Sequence, residues 1–185
     1  FMKLYQVDAF TAIPFKGNPA AVVVLIQPAA EDWMKKIAAE MNLSETAFVM
    51  PGKDIFGLRW FTPTVEVALC GHATLAAAHI LFENNIVSPE NKINFSTLSG
   101  LLSVSKKNNI LTMDFPSKQP VSIAIPERMQ EYLGAPILEA AQNGMDLLLR
   151  VESWSDVENL KPNLDEIKKL PYRGIMVTAP GNSEF

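Results

Sequence analysis

Three short stretches of this chain carry residue types that can move a proton or hold an anion. In Asn42-Leu43-Ser44-Glu45-Thr46-Ala47-Phe48-Val49, Glu45 stands at the lip of an apolar run. A carboxylate so placed loses part of its water, which raises its pKa toward the range useful for general acid–base work. Ser44 and Thr46 can hydrogen-bond it or orient a ligand. The competing reading is a solvated glutamate in a turn beside Ser44. The second stretch, Cys70-Gly71-His72-Ala73, opens an apolar segment of helical character. The first N–H groups of a helix lack internal partners and carry partial positive charge, so the amides of Gly71, His72 and Ala73 can cradle a carboxylate or oxyanion. Gly71 lets a ligand approach the backbone, and His72 adds a donor or passes a proton. Against this stands a plain helix start whose histidine bonds a carbonyl. Cys70 is either a thiolate, its pKa lowered by the helix start, or a buried inert thiol. In the third stretch, Gly17-Asn18-Pro19, Asn18 lends an amide to the site or the triplet merely shapes a turn. Asp8, an acid inside a strand, is a site orienter or a turn-bonding residue.

Other chemistries lack their residues. His72 and His79 are seven apart, with Glu83 four beyond, and no histidine pair at i and i+4 accompanies a third ligand, so no metal is expected. No two glycines are spaced Gly-x-Gly, which removes both the dinucleotide fingerprint and the Gly-x-Ser-x-Gly nucleophile elbow. A Gly-Lys-Ser/Thr phosphate loop is also missing, and no cofactor is expected.

The elements that must position these residues are readable from periodicity. Leu4 to Phe10 and Ala20 to Ile26 read as strands, with dense turn chemistry at Pro14 to Pro19 between them. Glu31 to Met41 places Trp33, Met34, Ile37, Ala38 and Met41 at helical spacing, with acids at its start. Strands are expected at Thr46 to Met50 and Ile55 to Phe61. Gly71 to Phe82 carries no formal charge unless a histidine protonates, and a helix apolar all round must be covered all round. Its four alanines give it a thin waist about which a sheet can wrap. Strand signals resume at Ile93 to Phe95, Leu101 to Ser105 and Ile110 to Phe115. The expectation is an α+β fold, an antiparallel sheet curled around a central buried helix, rather than repeated βαβ units. The first domain spans 1–117 with its central helix at 71–83. Residues 118–185 hold a linker and an incomplete second domain. That part reads as a short helix at Glu127 to Leu133, a strand at Met145 to Val151, helical turns at Trp154 to Leu160 and Leu164 to Leu170, and a strand at Gly174 to Thr178.

Composition narrows the class further. Of 185 residues, 48% are apolar, enough for a real core, and thirteen prolines against nine glycines suit short elements joined by firm turns. The net charge of −4, with signs interspersed, gives no footprint for nucleic acid. No run of eighteen apolar residues marks a membrane span, and no basic-then-apolar start marks a signal peptide. Cys70 is the single cysteine and has no intrachain disulfide partner, which fits a reducing cytoplasm.

Taken together, five ordered blocks resemble the PhzF family, named for an enzyme of phenazine biosynthesis. They are Val7-Asp8-Ala9-Phe10, Gly17-Asn18-Pro19-Ala20-Ala21-Val22, Met41 to Phe48, Arg59 to Val67, and Cys70-Gly71-His72-Ala73-Thr74-Leu75-Ala76. Thr178-Ala179-Pro180-Gly181 also resembles a family segment. The resemblance implies the diaminopimelate-epimerase-like fold, in which two similar domains each curl a sheet around a central helix. It implies that Glu45 is the proton-transfer residue of a cofactor-independent isomerase acting on a small carboxylate-bearing metabolite, and that His72 is the helix-start histidine. Cys70 resembles the first of two catalytic cysteines in the related epimerases, and with no second cysteine a two-cysteine racemase is not expected. The family's second half-site is an Asp-Pro-Val-Thr-Gly-Ser-like segment, and this chain stops before one. The expectation is therefore a truncated second domain, inactive alone, or one completed by a partner. Unpaired strand edges in such a unit favour a homodimer. The alternative function is a non-catalytic small-molecule-binding or dimerising protein on the same fold.

Overall fold

Alternation of apolar residues in the first half of the chain builds a sheet with two usable faces. A computed structural model describes residues 2–115, 117–144 and 146–181. The chain divides into two compact units, Phe1–Phe115 and Pro116–Phe185. In the first, β1 (Lys3–Ala9), β2 (Asn18–Val24), β3 (Thr46–Met50), β4 (Phe56–Phe61), β5 (Glu66–Val67), β6 (Ile93–Thr97), β7 (Gly100–Lys107) and β8 (Ile110–Asp114) form one sheet. Its order is β1-β2-β3-β4-β6-β7-β8, with β5 paired to β4. Helix α1 (Glu31–Met41) connects β2 to β3, and α2 (Gly71–Glu83) lies between β5 and β6.

The sheet is mixed, not wholly antiparallel as expected. β2 pairs β3 in parallel, and so does β4 with β6. The reason is connectivity: each of these pairs is separated in sequence by a helix, and a crossover returns the chain in the same direction. Ala20 and Val22 of β2, Ala47 and Val49 of β3, and Leu58 and Trp60 of β4 pack with the alanines of α2. The alternate residues Val23, Phe48 and Phe61 pack with Met34 and Ala38 of α1. Strands buried on both faces read as continuous apolar runs, which is how they stand in the sequence.

Helix α2 is covered on most sides but not all. Ala73, Ala76, Ala77, Ala78 and Leu81 are buried, whereas His79 and Glu83 are exposed. Helix α2 lies closest to β1, β2, β3 and β8, and the sheet does not close around it, since β1 and β8 are its two edges among the described residues. Along that seam lies a cleft of about 400 Å³ lined by Asp8, Phe10, Leu75, His79 and Ile110 among others. A helix charged only at its last residue, Glu83, thus need not be enclosed when one stripe carries a histidine that water can solvate.

The second unit holds β9 (Val121–Ile123), α3 (Met129–Leu133), β10 (Glu139–Asn143), β11 (Asp146–Arg150), α4 (Trp154–Glu158), α5 (Leu164–Ile167) and β12 (Gly174–Thr178). Its sheet runs β12-β11-β10-β9 around Met129, Leu133, Ala140, Leu147, Leu149 and Val151. Sequence reading misses three strands, β5, β9 and β10. β5 is two residues long, β9 lies in a proline-rich stretch, and β10 carries Glu, Gln and Asn in place of β-branched residues. Met145, the first residue of the strand expected at Met145 to Val151, and Pro116, next to the expected end of the first domain, lie outside the described residues. No helix among the described residues is long and apolar enough to cross a membrane.

Candidate active site at the mouth of the central helix

Glu45 owes its direction to the strand that follows it. Ala47 and Val49 face α2, and Glu45, two residues before Ala47, continues that row just ahead of β3. Helix α1 ends at Asn42, which adopts the left-handed conformation with φ 50° and donates its amide to Ala38 O. Asparagine tolerates that conformation, so the chain turns sharply there and enters β3 within three residues. The Glu45 carbonyl accepts from the Ala21 amide at 3.3 Å, so its backbone is fixed to β2 while its side chain is free to act.

On the other side of the site, Cys70 is extended (φ −147°, ψ 115°) and precedes the first turn of α2. Its carbonyl accepts from the Thr74 amide at 3.3 Å and the Thr74 hydroxyl at 2.6 Å. A Cβ added at Gly71 meets no atom within 4 Å, so the space above the helix mouth is open to a ligand. Ala73 is fully buried and its amide faces the Cys70 sulfur. Of the three amides proposed for anion binding, those of Gly71 and His72 are therefore the accessible pair.

His72 joins the two sides. Its Nε2 lies 3.5 Å from Glu45 Oε2 and 3.3 Å from the Ser44 hydroxyl. Its Nδ1 lies 3.5 Å from Cys70 Sγ. The His72 side chain is 10% exposed and that of Glu45 21%, so the pair is largely withdrawn from water yet reachable. Burial, with the Glu45 carboxylate nearby adding to it, pushes the Cys70 thiol up to about 12, although the Ala73 amide pulls the other way. Burial thus favours the protonated thiol over the thiolate, desolvation outweighing the helix start.

Donor atoms of Glu45, Cys70 and His72 lie within 4.8 Å of one another, the composition of a three-donor cation site. The ring, however, turns Nε2 to the carboxylate and Nδ1 to the sulfur. One imidazole nitrogen cannot meet a cation together with both neighbours unless the ring reorients. The arrangement suits a hydrogen-bonded chain better.

The remaining sequence candidates fall elsewhere. Thr46 is fully buried with no hydrogen-bond partner for its hydroxyl among the described residues, and alternation sets it on the α1 face with Phe48, away from His72. Asp8 accepts the Phe15 amide at 2.8 Å and so shapes the turn between β1 and β2. Asn18 is exposed at the start of β2, three residues ahead of Ala21, which pairs with Thr46 at the start of β3; it lies toward the sheet end that carries Glu45 and makes no hydrogen bond to it. Gly17 is structural, since an added Cβ would stand 2.4 Å from Ala9 O. The Cys70–His72 contact is the feature sequence reading missed. Its signal was present: a residue flanking a helix start and the one two positions on share the rim of the first turn.

A phenazine biosynthesis-like protein family model matches residues 7–184. The chain belongs to the PhzC/PhzF family. Family relatives include an uncharacterized isomerase of Halalkalibacterium halodurans, 46% identical across 97% of this chain and 68% of that protein. The crystal structure of a PhzF-family protein from Enterococcus faecalis matches with a TM-score of 0.88 and 43% identity, covering 97% of this chain and 69% of that one. A structure described as a predicted epimerase of Pseudomonas aeruginosa, 21% identical with a TM-score of 0.71 over 94% of this chain and 68% of that one, shares the fold. Relatives in this family are named isomerases, and the α+β fold is shared with an epimerase-like structure.

Proposed function

We propose that this protein is a cofactor-independent isomerase that shifts a proton, or inverts a centre, on a small carboxylate-bearing metabolite. The substrate carboxylate docks on the amides of Gly71 and His72, where the partial charge of the α2 mouth favours an anion. Its acidic C–H then lies toward Glu45, which takes the proton as general base. Glu45 returns it as general acid, to another atom or to the opposite face. His72 hydrogen-bonds the carboxylate form of Glu45 and orients the substrate, while Ser44 holds the ring. Charge that develops on the substrate oxygen is met by amides already in place.

The observation that carries this reading is the contact of Glu45 with His72 at the open rim of Gly71. Of the side chains brought together there, only Glu45 combines partial solvent access with a carboxylate; the thiol beside it is held protonated. The experiment is uptake of solvent deuterium into a panel of small cyclic amino acids, proline and pipecolate among them, by the wild type and Glu45→Gln. Uptake by the wild type that falls about a hundredfold or more in the variant is expected. Undiminished uptake by a folded Glu45→Gln protein would overturn the assignment. Binding of panel compounds without any uptake would favour a non-catalytic binding protein.

A further inference from the structure

We infer that Cys70 is a positioning residue: its thiol donates to Nδ1 of His72 and, together with the Glu45 carboxylate at Nε2, holds the ring in the tautomer whose Nε2 hydrogen faces Glu45. The inference rests on the reading of Glu45 as the proton-transfer residue and concerns what holds that residue's partner in register.

A neutral imidazole has one donor nitrogen and one acceptor, and its neighbours decide which is which. Nε2 faces Glu45 Oε2 at 3.5 Å. An ionised carboxylate only accepts, so that nitrogen carries the hydrogen; with the opposite tautomer two lone pairs would confront each other in a mostly buried site. The Ser44 hydroxyl at 3.3 Å from Nε2 can donate or accept, so it does not choose. Nδ1 is then the acceptor and needs a donor. Among the described residues its partner is the Cys70 sulfur at 3.5 Å, a normal distance for a contact with sulfur. The thiol retains its proton throughout the physiological range because burial holds its pKa far above it. The Glu45 carboxylate also lies within reach of that sulfur, and in the inferred arrangement the single thiol proton goes to Nδ1, which has no other donor among the described residues.

The arrangement has a chemical consequence. When Glu45 takes a proton from the substrate carbon, Nε2 is already occupied and Nδ1 is engaged by the thiol. The ring has no free lone pair facing Glu45, so the proton stays on the carboxyl group until it is returned to the substrate. No group is oxidised or reduced, and Cys70 exchanges no proton with substrate. This distinguishes it from a thiolate base, which the buried environment disfavours.

The test is a long-range proton–nitrogen NMR correlation on the full chain labelled with ¹⁵N-histidine, at about pH 8, above the ordinary histidine range. His79→Gln, at an exposed position on α2, assigns the two rings. The expected spectrum shows His72 Nε2 in the pyrrole-like region and Nδ1 in the pyridine-like region. Cys70→Ser, which keeps a donor, retains that pattern, and Cys70→Ala drifts toward a mixture of tautomers. Hydrogen on Nδ1 in the wild type, or an unchanged pattern in folded Cys70→Ala, overturns the inference. Should Cys70→Ala not fold, the wild-type spectrum decides alone: Nε2–H supports the inference and any other form contradicts it. The measurement needs no turnover, so its failure leaves the loss of deuterium uptake in Glu45→Gln standing, and the reverse also holds.

Discussion

At the scale of single residues, the site is a row of contacts reaching from Ser44 and Glu45 through His72 to Cys70. The cysteine makes the row pH-sensitive in a defined direction. Its thiol moves from an ordinary 9.0 to about 12 because burial disfavours the thiolate. Between those values the unfolded chain has lost the proton and the folded chain keeps it. The folded state then binds more protons, and stability falls as pH rises through that window; below 9.0 the thiol contributes no slope. Denaturant titrations at about pH 8 and about pH 10 should therefore show the wild type losing more stability than Cys70→Ser. An equal loss in both proteins would mean that the thiol is not desolvated. How much of this row was legible in the sequence differs from residue to residue. Glu45, Gly71 and His72 stand out by type and local pattern. The contact between Glu45 and His72 bridges 27 positions of chain, and no local pattern encodes it. Thr46 looked equivalent to Ser44, yet strand alternation sends it to the other face.

At the scale of elements, the site depends on α2 lying close against β2 and β3. Alanines at 73, 76, 77 and 78 are all buried, and they allow that approach. Ala77→Leu should destabilise the protein by about 1–3 kcal/mol through overpacking, and Leu81→Ala by about 2–5 kcal/mol through the cavity it leaves. Chemical denaturation checks both; a neutral Ala77→Leu would mean that the sheet does not grip the helix waist. The helices α1 and α2 and most strands of the first unit were readable because each has a strong period and clear breakers. The parallel pairings were not, since strand direction is settled by which side a crossover returns on. The short strands β5, β9 and β10 were missed because two residues, a triplet in a proline-rich stretch and a polar five-residue run give no readable alternation of their own.

At the scale of the whole chain, each unit has its own apolar core. The clusters around α2 and α1 lie within the first 115 residues, and the one around Leu147 and Leu149 draws only on the second unit. Lys118 is exposed in the connecting stretch, so brief trypsin treatment should cut there first and leave two protected fragments. Early cleavage after Arg59 in β4 or Arg150 in β11 would contradict separate cores. The curled sheet was anticipated from strands on both sides of an uncharged helix. Its open seam was not, because His79 reads equally well as a buried or a solvated residue.

The central claim is that the α2 mouth and Glu45 form one site for an anion and a proton. Titrating the protein with a panel carboxylate that shows uptake, and following the Gly71 amide and the Glu45 carboxyl carbon together by NMR, tests it most directly. The account predicts that both signals move along a single binding curve. Movement of either one without the other, or of the His79 cleft in place of both, would contradict it.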